Sequence, residues 1–348
     1  MDGVAHHCDH QERKGRKACI IGGTGFVASF LIKLLLNNGY SVNTTVRDPG
    51  NENKISHLLA LKSRGDLKIF KANLTDEGSF DAAIEGCDIV FLVATPVNFA
   101  SEDPENDMIK PAVQGVVNVL TSCAKVKSVK RVVMTSSAAA VSINNLTGDG
   151  LVMNEDNWTN VDLLYSEKPP LWGYPVSKTL AERAAWKFAK ENNIALITVI
   201  PSLITGASDT PQVPSSIALA SCLLTGNESL INGMKGMQSL SGSISLTHVE
   251  DVCRAHIHVA EKESASGRYI CCAVNTNVLD LAKFLVNKYP HPPLYNLPNE
   301  SFGEFPSKAK LILSSEKLIK EGFEFKYGIE EIYESTIEYL KSKGVLKY

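Results

Sequence analysis

Short apolar runs alternate with amphipathic stretches through the N-terminal part of the chain, a rhythm that predicts strands separated by helices. Ala18-Cys19-Ile20-Ile21 is apolar throughout, as suits a strand buried on both faces. The run stops at Gly22-Gly23-Thr24-Gly25. Beyond that turn Phe26, Val27, Phe30, Leu31, Leu34 and Leu35 recur at helical spacing, and Asn38-Gly39 closes the helix. A strand over 40–46 follows. Further strands are predicted over 67–71, 89–93, 131–135 and 195–200, with helices over 79–84, 109–125 and 174–192. Strands spaced by helices in this way imply an α/β fold, layered around a doubly wound, mainly parallel sheet.

Past Pro201 the rhythm breaks. Pro211, Pro214, Gly226, Gly233, Gly236 and Gly242 punctuate a less regular stretch. Strands over 243–246 and 268–272, with a helix over 249–261 between them, are expected to return to the sheet. The remainder from Asn277 reads as helices and loops. The expected organisation is a disordered tail over 1–16 and a dinucleotide-binding domain over 17–200 plus about 243–276. A smaller substrate lobe over about 201–242 plus 277–348 should cap the carboxyl edge of the strands, where ligands of such sheets lie.

Composition narrows the classes. The 348 residues are 44% hydrophobic and 21% charged, ordinary for a globular protein, and the net charge of −3 gives no reason to expect a nucleic-acid partner. The eight cysteines are scattered without a CxxC pair and read as buried thiols of a reducing compartment. The first residues lack the apolar core of a signal peptide, and no run is long enough for a membrane span, so a cytoplasmic protein is expected. His6, His7, Cys8 and His10 cluster near the N-terminus, but no helical spacing presents them together, and no metal site is expected.

Gly22-Gly23-Thr24-Gly25-Phe26-Val27-Ala28 fits G-x-x-G-x-x-A between a buried strand and an amphipathic helix. Gly22 allows the tight turn, and Gly25 lets backbone amides approach a pyrophosphate. Ala28 keeps the helix close to the sheet, and the helix N-terminus favours the phosphate's charge. The turn therefore reads as a dinucleotide site of the Rossmann type. The end of the second strand selects the dinucleotide. An acidic side chain there would hold the ribose hydroxyls of NAD. This chain has Arg47 instead, able to pair a 2′-phosphate in bidentate fashion, with Lys54 nearby as a second cation. NADP(H) is expected, the competing reading being a surface arginine paired with its neighbour Asp48.

Tyr174-Pro175-Val176-Ser177-Lys178 sets a tyrosine and a lysine four residues apart at a helix start, on one face. A phenol titrates ordinarily near pH 10, and a neighbouring ammonium is expected to bring it down towards use as an acid or base. Thr135-Ser136-Ser137 ends a predicted strand on the same edge, where a serine hydroxyl can hydrogen-bond a reacting oxygen. Each pattern alone is common. Their order along one doubly wound chain is not.

That order resembles the extended short-chain dehydrogenase/reductase superfamily, over nearly all of the chain from Lys17 onwards. The resemblance implies Ser137, Tyr174 and Lys178 as the catalytic set. Ser137 is preferred to Ser136 because the family serine directly precedes a small residue, here Ala138. It also implies cofactor contacts from Thr24, Phe26, Val27, Asn73, Leu74, Val93-Ala94-Thr95-Pro96, Pro201, Ile204 and Ser216, beside Tyr174 and with Lys178 on the nicotinamide ribose.

A closer resemblance lies within that superfamily. Thr45-Val46-Arg47-Asp48-Pro49, Asp103-Pro104-Glu105-Asn106 and Ser177-Lys178-Thr179-Leu180-Ala181-Glu182 are similar to the dihydroflavonol-reductase-like plant phenolic reductases. Ser136-Ser137-Ala138-Ala139-Ala140-Val141, Trp172-Gly173-Tyr174-Pro175 and Asn232-Gly233-Met234-Lys235-Gly236-Met237-Gln238 are most similar to the anthocyanidin reductases. The resemblance implies reduction of an anthocyanidin to a 2,3-cis-flavan-3-ol of the epicatechin type, at the expense of two NADPH, with Tyr174 as proton donor. Ser137, Trp172 and residues 234–243 are the expected lining of an apolar cleft for a planar polyphenol. Trp172 is equally suited to packing beside Pro169-Pro170.

Leu92, Asn73 and Ser239 depart from the histidine, aspartate and methionine of the pattern; Asn73 can still hydrogen-bond but offers no charged acceptor. Two other readings stay beside this one. A dihydroflavonol 4-reductase would carry asparagine where Ser142 stands, and a non-catalytic NADP-binding redox sensor would not need the complete serine, tyrosine and lysine set. The oligomeric state stays open, a monomer included.

Overall fold

The computed structural model describes residues 15–99, 101–289 and 309–347. Its centre is a seven-stranded sheet made of β1 (Lys17–Ile21), β2 (Ser41–Val46), β3 (Leu67–Lys71), β4 (Ile89–Leu92), β5 (Arg131–Thr135), β7 (Leu196–Pro201) and β10 (Gly267–Cys271). The strands run in the order β10-β7-β5-β4-β1-β2-β3, and every pairing is parallel. Chain order reverses between β1 and β4, the point at which a sheet of this kind opens a crevice at the carboxyl ends of its strands.

Alternation along β1 shows why its sequence is apolar on both faces. Ala18 and Ile20 pack into one core with Leu31, Leu35 and Val252, from helices Phe26–Asn37 and Val249–Glu261. Cys19 and Ile21 pack into another with Val116, Val119, Ala181 and Ala185, from helices Lys110–Lys125 and Gly173–Glu191. Helices thus cover both faces of the sheet.

Two expectations for the C-terminal part need correction. The strand expected over 243–246 is β9 (Ile244–His248), and it does not rejoin the central sheet. It pairs with β8 (Leu203–Thr205) and β11 (Val274–Thr276) in a separate three-stranded sheet. The chain leaves the large sheet at Ser202, whose Oγ shares a 2.7 Å hydrogen bond with Thr247 Oγ1, and β8 then runs beside β9. The tail beyond Asn277 also holds a strand, β12 (Ala309–Leu313), parallel to β6 (Gly148–Met153). The glycines that open β6 masked its pattern. A second core joins Ile217, Met234, Ile244, Leu281, Leu285, Ile332 and Tyr333, all remote from the large sheet in sequence pattern but contiguous in space.

The expected tail, up to residue 14, and the His6, His7, Cys8 and His10 cluster lie outside the described residues. Among the described residues the cysteines are buried free thiols, no group of His, Cys, Asp or Glu is placed to hold a metal ion, and no helix is long and apolar enough to cross a membrane.

Candidate active site

The glycine turn sits at the carboxyl end of β1 and is built for close approach. Gly22 has φ +90°, and a Cβ there would lie 2.7 Å from that of Ala94, on the loop after β4. A Cβ at Gly23 would run into Thr44 Oγ1. The Gly22 amide donates to Thr45 Oγ1 at 3.1 Å and the Gly23 amide to the Thr45 carbonyl at 2.9 Å, which pins the turn to β2. Thr24 and Gly25 are exposed, with Phe26 and Val27 half-buried behind them. Helix Phe26–Asn37 starts here with no side-chain cap and no acidic residue in its first turn. Its first amides therefore lack protein acceptors and face an end that favours an anion. These residues fit a dinucleotide.

Arg47 and Asp48 follow β2, both exposed. Asp48 Oδ1 accepts from the Gly50 amide at 3.0 Å, and Arg47 makes no ion pair among the described residues, so the two are not partners. Lys54 is exposed one turn into helix Glu52–Leu61, its amide capped by Asn51 Oδ1 at 3.2 Å. Asn73 turns its amide group onto Thr75 Oγ1 at 2.6 Å, inside its own turn. Leu74 packs so closely on Gly115 that a Cβ there would come within 2.9 Å of its own.

Ser137, Tyr174 and Lys178 meet at the carboxyl end of β5. Helix Gly173–Glu191 begins against the loop after Asp103, and Gly173 is required there because a Cβ would strike Pro104. Lys178 is buried, its Nζ donating to Thr95 Oγ1 and to the Thr135 carbonyl, each at 3.0 Å. Burial brings its ammonium down to about 8, against the opposing attraction of Glu182. Burial pushes the Tyr174 phenol up, and a hydrogen bond with Ser137 pulls the other way. Two of the three ammonium donors of Lys178 go to Thr95 and Thr135, and burial, not the lysine, leads the phenol's shift. A phenol held protonated suits a proton donor. Ser136 is not the alternative serine, since its Oγ is committed to Glu182 at 2.5 Å.

The chain from 18 to 272 matches the NAD dependent epimerase/dehydratase family. It belongs to that family. An anthocyanidin reductase ((2S)-flavan-3-ol-forming) of Vitis vinifera is 70% identical over 96% of this chain and 98% of its own. The anthocyanidin reductase of Arabidopsis thaliana is 62% identical over 95% and 96%, and a dihydroflavonol 4-reductase of Gerbera hybrida 42% over 97% and 89%. Among solved structures, vestitone reductase from alfalfa superposes with a TM-score of 0.79 at 37% identity, over 95% of this chain and 99% of that one. Gre2 of Candida albicans in complex with NADPH gives 0.76 at 26%, over 94% and 99%.

In this member of the epimerase/dehydratase family, the remaining expected residues are spread around the same edge. Pro201 ends β7, Ile204 is half-buried on β8, and Ser216 lies in helix Ser215–Ala220, which packs on β8. Within the expected lining over 234–243, Met234 and Gln238 turn into the protein. Most of that stretch is helix Glu228–Ser241, where Met234 is 0% exposed in the second core and Gln238 Oε1 accepts the Val278 amide at 2.6 Å. Leu240 alone packs with Trp172 and Val176 of the catalytic helix. Trp172 itself rests on Tyr165, ring centres 5.3 Å apart, which is packing. One residue escaped the sequence reasoning: Phe99 is 47% exposed, its ring centre 5.4 Å from that of Tyr174. An aromatic in the loop after Val93-Ala94-Thr95-Pro96 was the available signal. A cleft of about 580 Å³ bordered by Asn154, Lys262, Lys317 and Glu321 shares no residue with this set.

Proposed function

We propose that the protein is an NADPH-dependent reductase that converts an anthocyanidin to a flavan-3-ol. The observation that carries this reading is the 70% identity to the Vitis vinifera anthocyanidin reductase over nearly the full length of both chains, against 42% for dihydroflavonol 4-reductases. Ser137, Tyr174 and Lys178 are the catalytic set. Gly22, Thr24, Gly25, Phe26 and Val27 would hold the pyrophosphate end of NADP(H), with Arg47 and Lys54 at the 2′-phosphate. Asn73, Leu74, Val93 to Pro96, Pro201, Ile204 and Ser216 would line the rest. The domain division expected from the sequence goes with this reading, with β9 moved into the substrate lobe.

A flavylium cation needs two hydrides and one proton to become a neutral flavan-3-ol. NADPH, when bound, would supply one hydride in each of two turns. Tyr174 holds the proton on its phenol, and Ser137 orients the oxygen that bears or receives it. Lys178 keeps its ammonium against Thr95 and the Thr135 carbonyl, beside the expected ribose position. Phe99 presents an apolar ring on which a planar substrate can lie.

Anaerobic incubation with NADPH and either cyanidin or dihydroquercetin tests the reading. Flavan-3-ol from cyanidin is the expected result, and consumption of dihydroquercetin alone overturns it. Chiral chromatography of the product decides its configuration. Grape relatives are named for 2S products, whereas epicatechin is the 2R member of the 2,3-cis pair.

A further inference from the structure

Behind Lys178 the catalytic helix carries a second buried charge that the chemistry above does not use. Glu182, one helical turn further on, is 0% exposed. Its carboxylate accepts from Ser136 Oγ at 2.5 Å, Thr198 Oγ1 at 2.8 Å, and Arg268 Nε and Nη2 at 2.8 and 3.3 Å. Those donors stand just past the end of β5, on β7 and on β10, so one carboxylate ties three neighbouring strands to the helix. Arg268 is held in turn. Its Nη1 donates to the Glu155 and Asn157 carbonyls at 2.6 and 2.7 Å, and its guanidinium lies 3.7 Å from the centre of the Trp158 ring. From the same loop Thr159 Oγ1 donates to the Ala139 carbonyl at 2.7 Å, bracing the turn that follows Ser137. A buried ion pair is a poor stabiliser compared with apolar side chains of the same volume, so its presence here asks for another reason.

We propose that Glu182 is a positioning residue for the reaction, fixing Ser137 through Ser136 and Lys178 through their shared helix, with its negative charge one turn below the ammonium. The proposal rests on the reductase reading above for what Lys178 does. The charged groups facing Glu182 are Arg268 from β10 and Lys178 on its own helix, while the residue after β5, and β7 itself, present hydroxyls. Glu155 stands on the loop beyond Arg268, its carboxylate accepting the Ile270 amide at 2.9 Å.

Two measurements on the full chain test it, the first without substrate. The NADPH dissociation constant is followed by fluorescence titration across the pH range around the Lys178 transition at about 8. Below that point the lysine is an ammonium and above it the charge is lost, so binding weakens on the alkaline side. In Glu182→Gln the weakening should begin about one pH unit lower, because the attraction that holds the proton is gone, whereas Glu182→Asp should keep the parent profile. In the second, kcat on cyanidin should fall roughly 10- to 100-fold in Glu182→Gln with little change in KM. If that variant does not fold, Ser136→Ala decides, since it leaves the ion pair whole; a kcat loss of about fivefold is expected. A folded Glu182→Gln with the parent pH profile and kcat overturns the proposal, as does parental kcat in Ser136→Ala where the glutamine variant fails to fold. Should the parent protein not turn over cyanidin, it is the reductase reading that falls, and the NADPH profile still tests Glu182.

Discussion

Helices Gly173–Glu191 and Glu228–Ser241 carry the most distinctive stretches of the chain, and only the first buries charged side chains. The first turns Ser177, Lys178, Thr179 and Glu182 inward. Ser177 and Thr179 return their hydroxyls to carbonyls one turn back, each at 2.7 Å, and the two charged side chains are bonded across to strands. The second turns in Ile231, Met234 and Gln238, and they pack the second core or cap the next helix. Burying methionine is favourable by itself, while burying lysine and glutamate costs several kcal/mol and persists only where every group is satisfied. A distinctive stretch can thus be buried for packing, as Met234 is, whereas buried charges persist only where they are bonded.

The sharpest way to break this contrast is Tyr174→Phe. Removing the phenolic oxygen should lower kcat by about 10²- to 10⁴-fold, with the NADPH dissociation constant within about threefold of the parent. Steady-state kinetics and fluorescence titration read the two quantities separately, and full turnover would remove the phenol from the reaction. Met234→Ala should do the opposite. Its cavity in the second core should cost about 2–5 kcal/mol in urea unfolding, with kcat/KM per folded molecule little changed. Unchanged stability with a much larger KM would return the 234–243 segment to the substrate.

The contrast also explains what could be read from the chain without coordinates. The parallel strands were legible because burial on both faces leaves them continuous, as in Ile89–Leu92. The meeting of Ser137, Tyr174 and Lys178 was legible through the order of the parts, since turn, serine and tyrosine-lysine pair each sit at the end of a different strand or start of a helix. Spacing could not say that Lys178 Nζ turns to Thr95 and the Thr135 carbonyl, nor that burial dominates at Tyr174. It could not say either that Gln238 caps Val278, because that partner is 40 residues away in sequence. β9 was expected but given the wrong partners, since strand pairing is non-local, and β6 was missed because Gly148 and Gly150 weaken its local cue.

Exposed charge supplies a middle term between the two helices. Arg47 is exposed at the end of β2 and makes no ion pair among the described residues, which leaves its guanidinium open to the proposed 2′-phosphate. Arg47→Ala should weaken NADPH binding by about 10- to 100-fold, the worth of a charge-assisted hydrogen bond of ~1.5–3 kcal/mol, and leave NADH binding unchanged. Equal loss for both nucleotides would mean that Arg47 does not read the 2′-phosphate.

The smallest expected effect concerns how the two helices begin. Glu228–Ser241 has an ordinary cap, Asn227, whose side chain accepts the Leu230 amide at 3.1 Å. The catalytic helix has no side-chain cap; it is entered through Pro169-Pro170-Leu171, and Leu171 sits at φ +65°, a left-handed conformation that a branched side chain adopts only under constraint. Its carbonyl accepts the Tyr174 amide at 3.1 Å, so the strained residue sets the direction in which the tyrosine leaves the turn. The side chain is 50% exposed and gains little by packing. Leu171→Gly relieves about 1–2 kcal/mol of backbone strain and returns most of it as unfolded-chain entropy, so the melting temperature should rise by no more than about 2 °C. The same change loosens the entry of Tyr174, and kcat/KM on cyanidin should fall about threefold with the melting temperature held or raised. A variant that melts higher and works as well would show the strain to be incidental to the tyrosine's placement.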